Sequence, residues 1–457
     1  MMNNTLTIPK VSGWKLLLLI LLGVIIGLIM LRGDILFWGI LMGLVFFVLL
    51  VRNPELSLAI LFNGTFIYFY LVYKMGFETS RLLTGGFFAF LAVSFLLGGI
   101  LIAKRPQKFR PASIDLLFTC FFSLVFLSYI MFRTGSESAY RKITYAPLLV
   151  VAPYFGIRLL TSKEGIKKFF NYCVLVAAIL VIPALYELFF NPVFAGSGRF
   201  SMYMFPERGN NPILFGITFA ILLIILFVWG LEQRKLKFKY LILMVPAMFL
   251  LLRSGSRGAV ISFLVAMLFY LLIIGRLKFK TKIYAAIVLV FLIVGAYKII
   301  PEPIAGFYQY TFTPEARENP VSSVYKRITM WKEAINDFET NPILGVGIGN
   351  SVGGIGFPHN ILLEVAAELG VFGLLIIISM FYLTIKKALA FIKKKEMPTL
   401  NTLMKLSLTL FIYSLTEAMF SGYITNQTRL FMSMGIIVSL VRLKQEKVSS
   451  QNRQVDA

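Results

Sequence analysis

The sequence predicts an all-α polytopic membrane protein, a bundle of about 14 transmembrane helices (about 12 to 14) with one larger extracytoplasmic loop containing an amphipathic helix. Three observations predict it. The 457 residues are 58% hydrophobic and only 14% charged, with a mean hydropathy of +0.82, values that would leave a water-soluble domain with a grossly exposed apolar surface. Apolar stretches near the roughly 20 residues needed to cross a bilayer recur from end to end, whereas a porin-like barrel would show shorter alternating segments. Basic clusters fall in every second loop between those stretches.

Taken in order, the basic start from Lys10 to Lys15 leads into an apolar run with no small-residue cleavage site before the next span, which reads as a retained first helix. The expected spans are 14–31, 35–51, 56–73, 82–103, 114–132, 143–160, 169–190, 212–231, 240–252, 258–275, 283–300, 361–391, 400–420 and 428–443. Cys120 and Cys173 lie inside spans, where a thiol behaves as a small hydrophobe and no disulfide is expected.

The net charge of +24 would suggest nucleic acid in a soluble protein. Its placement argues otherwise. Lys104, Arg105, Lys108 and Arg110 share one face with clusters at 163–168, 234–239, 276–282 and 386–395 and with the tail from Arg442. That face is strongly basic and the other nearly balanced, so the positive-inside rule puts both termini in the cytoplasm. The basic loops are short and dispersed and show no nucleic-acid-binding module.

Two expected extracytoplasmic segments remain, 191–211 and 301–360, which divide the chain into N-terminal helices (1–190) and a region carrying the function (191–457). The first, "NPVFAGSGRFSMYMFPERGNN", holds Arg199, Glu207 and Arg208. In the second, Val321, Val324, Tyr325, Ile328, Trp331, Ile335 and Phe338 recur at intervals of three and four. This spacing predicts an amphipathic helix along the outer membrane interface, ending at Asn341 and Pro342. The glycine-rich "GVGIGNSVGGIG" that follows lacks the spacing and preceding strand of a dinucleotide fingerprint. It is either a flexible turn back to the membrane or a bare backbone that admits a bulky ligand.

Charges near a membrane are costly, so those not needed for topology invite a functional explanation. Arg257 opens the tenth expected span within "RSGSRGAV", Arg253 lies one turn earlier, and Arg327 sits in the loop helix. Each could simply snorkel to the headgroups; two or three converging would instead clamp a diphosphate through bidentate hydrogen bonds. His359 is the only histidine. It fits either an imidazole satisfied by a carbonyl at a helix entrance or a general base. Glu364 and Glu368 could orient it, contact a sugar hydroxyl or pair with an arginine. With no second histidine and only two buried cysteines, metal ligation is not expected.

The stretch "KRITMWKEAINDFETNPILGVGIGNSVGGIGFPHNILLEVAAELGVFGLL", Lys326 to Leu375, resembles the core of the O-antigen ligase and O-antigen polymerase superfamily. "SGSRGAV" and "GRFSMYMFPERGNNP" are similar to its two shorter upstream motifs, so the resemblance spans 199–375. It implies transfer of a glycan from an undecaprenyl-diphosphate carrier to an acceptor hydroxyl at the outer face of the cytoplasmic membrane, inverting, without metal or cofactor. Carried over, Arg257, Arg327 and His359 are the expected catalytic residues, and Arg199, Arg208, Asn360 and Glu364 the expected substrate-binding ones. A flippase and a chain-length regulator are further candidate partners. Polymerase and ligase share this chemistry. A flippase or transporter of the same lipid-linked glycan is the alternative, and it predicts charges near the bilayer midplane and broken helices in both halves. A peptidoglycan-type polymerase would need an acidic catalytic residue, for which Asp337 and Glu339 lack matching motifs.

Overall fold

The computed structural model describes residues 35–64, 70, 81–102, 111–132, 136–160, 162–190, 200, 204–205, 209–210, 212–233, 238–275, 280, 283, 287, 323–352, 357–394 and 397–455. The expected span at 14–31, nearly all of that at 283–300, loop residues 301–322, and Arg199 and Arg208 lie outside them.

The elements are α1 (Ile35–Arg52), α2 (Pro54–Ala59, continued by a π-helical turn to Gly64), α3 (Arg81–Ile102), α4 (Ser113–Phe132), α5 (Glu137–Ala146) and α6 (Ala152–Arg158). There follow α7 (Lys163–Phe190), α8 (Pro212–Glu232), α9 (Phe238–Arg253), α10 (Arg257–Phe269, continued by a π-helical turn to Ile274), α11 (Ser323–Thr340), α12 (Ile361–Lys393), α13 (Pro398–Ala418) and α14 (Thr428–Val455). Two-residue strands, Met204–Phe205 and Gly209–Asn210, form an antiparallel pair before α8. Among the described residues, five helices are long and apolar enough to cross a membrane, or six if Gly43–Arg52 and Pro54–Asn63, bent by 104°, form one span. The chain is a multi-pass α-helical membrane protein.

The core sits around α8. Its sequence, PILFGITFAILLIILFVWGLE, is apolar on every face, as a helix enclosed by others must be. It packs against α7, α9, α10 and α13. The expected span at 143–160 falls in one helical run, Glu137–Arg158, whose ladder widens into a π-helical turn at Pro147–Val151, where Pro147 cannot donate.

Buried ion pairs tie one set of helix ends. Arg158 grips both carboxylate oxygens of Asp115 at 2.9 Å, Tyr154 donates to Asp115 at 2.7 Å, and Arg158 also reaches Ser439. Lys405 and Tyr270 each donate to Glu232 at 2.7 Å. At the opposite ends, the starts of α5, α8, α10 and α12 meet the ends of α4, α9 and α13, and the candidate site lies there.

Residues 345–352 of the glycine run close onto these ends as a packed turn, and 353–356 lie outside the described residues. Within α12, Gly370 leaves the helical conformation (φ 62°, ψ −160°), and the carbonyls of Ala367 and Glu368 accept instead from Val346 at 2.8 Å and Gly347 at 3.1 Å. Gly345, Gly347 and Gly349 all have positive φ, and a Cβ on Gly349 would lie 2.4 Å from the Ala139 backbone. The bare backbone thus admits the protein's own helices. Gly349→Ala is expected to destabilise the fold by about 3 kcal/mol, combining left-handed strain with overpacking; a melting curve of the purified protein measures it.

Candidate functional site

The amphipathic helix forms as α11, ends at Thr340 beside Asn341, and packs on α12. Its register is fixed by Trp331, whose indole Nε1 donates to the carbonyl of Pro358 at 2.7 Å. Asp337, one and a half turns further on, accepts from Ser351 Oγ at 2.9 Å and from the Val352 amide at 3.1 Å. That carboxylate therefore braces the glycine loop.

The bond to Pro358 sets the next residue. His359 has φ 54°, left-handed and strained for a side chain of this size. Its ring lies 4.4 Å from that of Phe357, which in turn packs on Tyr423 at 5.1 Å. The imidazole Nδ1 is buried and has no hydrogen-bond partner among the described residues. The sequence left open whether a backbone carbonyl satisfies the histidine; none bonds this nitrogen. Burial, and then the positive charge of Arg327, push the His359 pKa down to about 4.

Arg327 is thus near enough for its charge to act on the imidazole. Burial lowers the guanidinium's own pKa, and the negative charge of Glu417, at the end of α13, opposes the shift. Glu417 also interacts with Arg429, whose Nε donates to the Phe62 carbonyl at 2.9 Å. Glu417 and Arg429 were not apparent from the sequence, because each flanks a short turn between spans and reads as a boundary charge.

Arg257 is the first residue of α10. The turn before it, Ser254 to Ser256, contains positive-φ Gly255 and packs on Gly216 of α8, where a Cβ would lie 2.7 Å from Ser254 Oγ. A Cβ on the neighbouring Gly258 would be 3.4 Å from Phe420, three residues beyond Glu417. The α10 start and the Arg327 partner thus meet at one corner. Arg253 is buried, and its carbonyl accepts from the Phe200 amide at 3.0 Å.

Asn360 is the N-cap of α12, its side-chain oxygen accepting from the amides of Leu362 at 3.0 Å and Leu363 at 3.2 Å. Glu364 is fully buried, accepting from the Ile424 amide at 2.9 Å and pairing with Lys142 of α5. Lys142 pairs with Glu368 as well. Among the described residues, no three His, Cys, Asp or Glu side chains gather as a metal site requires.

The fold and this end of the bundle define a multi-pass membrane protein whose one histidine is buried under the charge of Arg327. Residues 241–378 match the family model described as O-antigen ligase, so this stretch is similar to that family. It includes Arg257, Arg327 and His359. The match supports a glycan-handling envelope enzyme of ligase or polymerase type. No curated protein matches the chain significantly.

Proposed function

We propose that the protein transfers a glycan from an undecaprenyl-diphosphate carrier to an acceptor hydroxyl at the outer face of the cytoplasmic membrane. The observation that carries this reading is the buried imidazole nitrogen of His359, without a partner among the described residues and under the charge of Arg327. The imidazole takes the proton of the attacking hydroxyl. Arg327 and Arg257 hold the diphosphate and stabilise the charge that grows on it as the glycosidic C–O bond breaks. Attack opposite the leaving diphosphate inverts the anomeric centre. The proton ends on His359, and the electron pair of the broken bond ends on the lipid diphosphate.

The site end is read as extracytoplasmic and both termini as cytoplasmic, in a chain of about 14 spans, from the alternation of basic loops. Arg199 and Arg208 remain candidate donor contacts. Asn360 and Glu364 contribute by holding the first turn of α12. The transport alternative expects broken helices in both halves and charge near the midplane: the 104° bend after Arg52 and the Gly370 break in α12 fit the first, whereas Asp115, Arg158 and Glu232 stand at helix ends, and Lys405, two turns into α13, is tied to Glu232.

Deleting the gene tests the reading. Cells are expected to accumulate an undecaprenyl-diphosphate-linked glycan on the outer leaflet, single repeat units for a polymerase and long chains for a ligase. Accumulation on the inner leaflet would favour transport. Because arginines occupy the charge-neutralising role, transfer of that extracted glycan by the purified protein is expected to persist in excess EDTA. Collapse on chelation, restored by magnesium, would contradict it.

A further inference from the structure

We propose that Lys142 is a positioning residue for the imidazole of His359, acting through Glu364; this rests on the transferase reading above.

Lys142, Glu364 and Glu368 are each at most 1% exposed, and burying three ionisable groups is costly unless they are paired well. Apolar side chains of similar volume would pack these helices at least as well. What the charged set adds is connection among the segments that carry the site. Lys142 comes from α5, which the glycine loop touches at Ala139. Glu364 and Glu368 stand one turn apart on α12, and both face the lysine ammonium.

Glu364 lies in the turn that begins directly after His359, and its amide donates to the carbonyl of the N-cap Asn360 at 2.9 Å. One carboxylate oxygen takes the lysine and the other the amide of Ile424. The residue before Ile424 is Tyr423, whose ring supports Phe357, and the Phe357 ring supports the imidazole. The chain of contacts therefore runs from Lys142 to Glu364, to the Tyr423–Ile424 turn, to Phe357 and to His359. Glu368 connects the same lysine to the glycine loop through its carbonyl bond to Gly347. An imidazole in a strained left-handed backbone needs such support to stay in place.

Among the described residues, the charge acting on His359 is that of Arg327 from α11, which Glu417 of α13 opposes. Tyr423, from the turn before α14, packs on Phe357, and Arg141, Lys142 and Tyr145 from α5 and Glu364 from α12 act on it. Releasing the Tyr423–Phe357 support would admit water and weaken the burial that depresses the imidazole's basicity.

The test uses the full-length protein in lipid nanodiscs, with lipid-linked glycan extracted from the deletion strain as donor, and follows transfer against pH. Lys142→Met and Glu364→Gln are compared with wild type and His359→Ala. Both positioning variants are expected to lose about 10²-fold in kcat, the scale of a misplacement of about 1 Å, with KM nearly unchanged. The acid limb of kcat/KM is expected to move up, toward the ordinary histidine value of about 6.5. Glu364→Gln keeps Lys142 balanced by Glu368, so it decides the matter should Lys142→Met fail to fold. A role confined to stability would scale kcat with the folded fraction and leave the limb in place, and that result overturns the proposal. Loss of transfer in His359→Ala with wild-type behaviour in both positioning variants overturns this inference alone, whereas wild-type transfer in His359→Ala removes the reading beneath it.

Discussion

Replacing Arg327 by alanine is expected to lower kcat/KM for glycan transfer by about 10²- to 10³-fold, the scale seen when one charge-stabilising donor is removed from a reaction centre. The Trp331 bond to Pro358 holds α11 against the His359 segment, so the guanidinium is fixed before donor arrives and little reorganisation is needed as charge develops. Burial reduces water's screening of its field. Arg327→Lys is expected to recover only a small part, because an ammonium cannot offer the paired donors that match diphosphate oxygens. A second effect runs the other way. The Arg327 charge contributes to the low pKa of His359, so the alanine variant has a stronger base and its acid limb moves up. The rate still falls because the leaving diphosphate has lost its counter-charge. Steady-state transfer by protein of unchanged melting temperature measures both effects, and a rate within a few-fold of wild type would argue against the proposed clamp.

How much of this was legible in the sequence depended on whether a residue's role was local. The α11 helix followed from apolar spacing, and its end from the Asn341–Pro342 pair. His359 and Arg327 stood out because ionisable groups are scarce and costly near a bilayer. Lys142 did not, since a lysine one residue before an expected span reads as a topology charge; only the fold brings it to carboxylates more than two hundred residues away. The Gly370 break was hidden for a related reason. One glycine in a long apolar helix is tolerated, and its purpose appears only when Val346 and Gly347 occupy the carbonyls it releases. Asn360 before ILLE carries a capping signal that the sequence alone offers, and the cap is formed. The glycine loop resisted assignment because sequence shows that a backbone is bare, while the fold shows what approaches it.

His359→Ala is expected to lower kcat by about 10²- to 10⁴-fold, the range for loss of a general base. Its pH behaviour separates this role from a packing one. With its pKa pushed down to about 4, the imidazole is neutral above that value and ready to accept a proton across the physiological range. The acid limb of wild-type kcat/KM is accordingly expected near pH 4 rather than near the ordinary value of about 6.5. An anionic diphosphate bound at Arg327 offsets the guanidinium charge, so the limb in kcat is expected to lie above that in kcat/KM. Donor binding then makes the imidazole a stronger base when the acceptor's proton must leave. Linkage gives an independent check. A histidine with its folded pKa below its unfolded one contributes stability that is present above about pH 6.5 and lost as pH falls through about 4, so His359→Ala should lose less stability than wild type over that window. Coincident limbs at 6.5, with equal acid sensitivity in both proteins, would mean that the imidazole is neither buried nor coupled to the arginine during turnover.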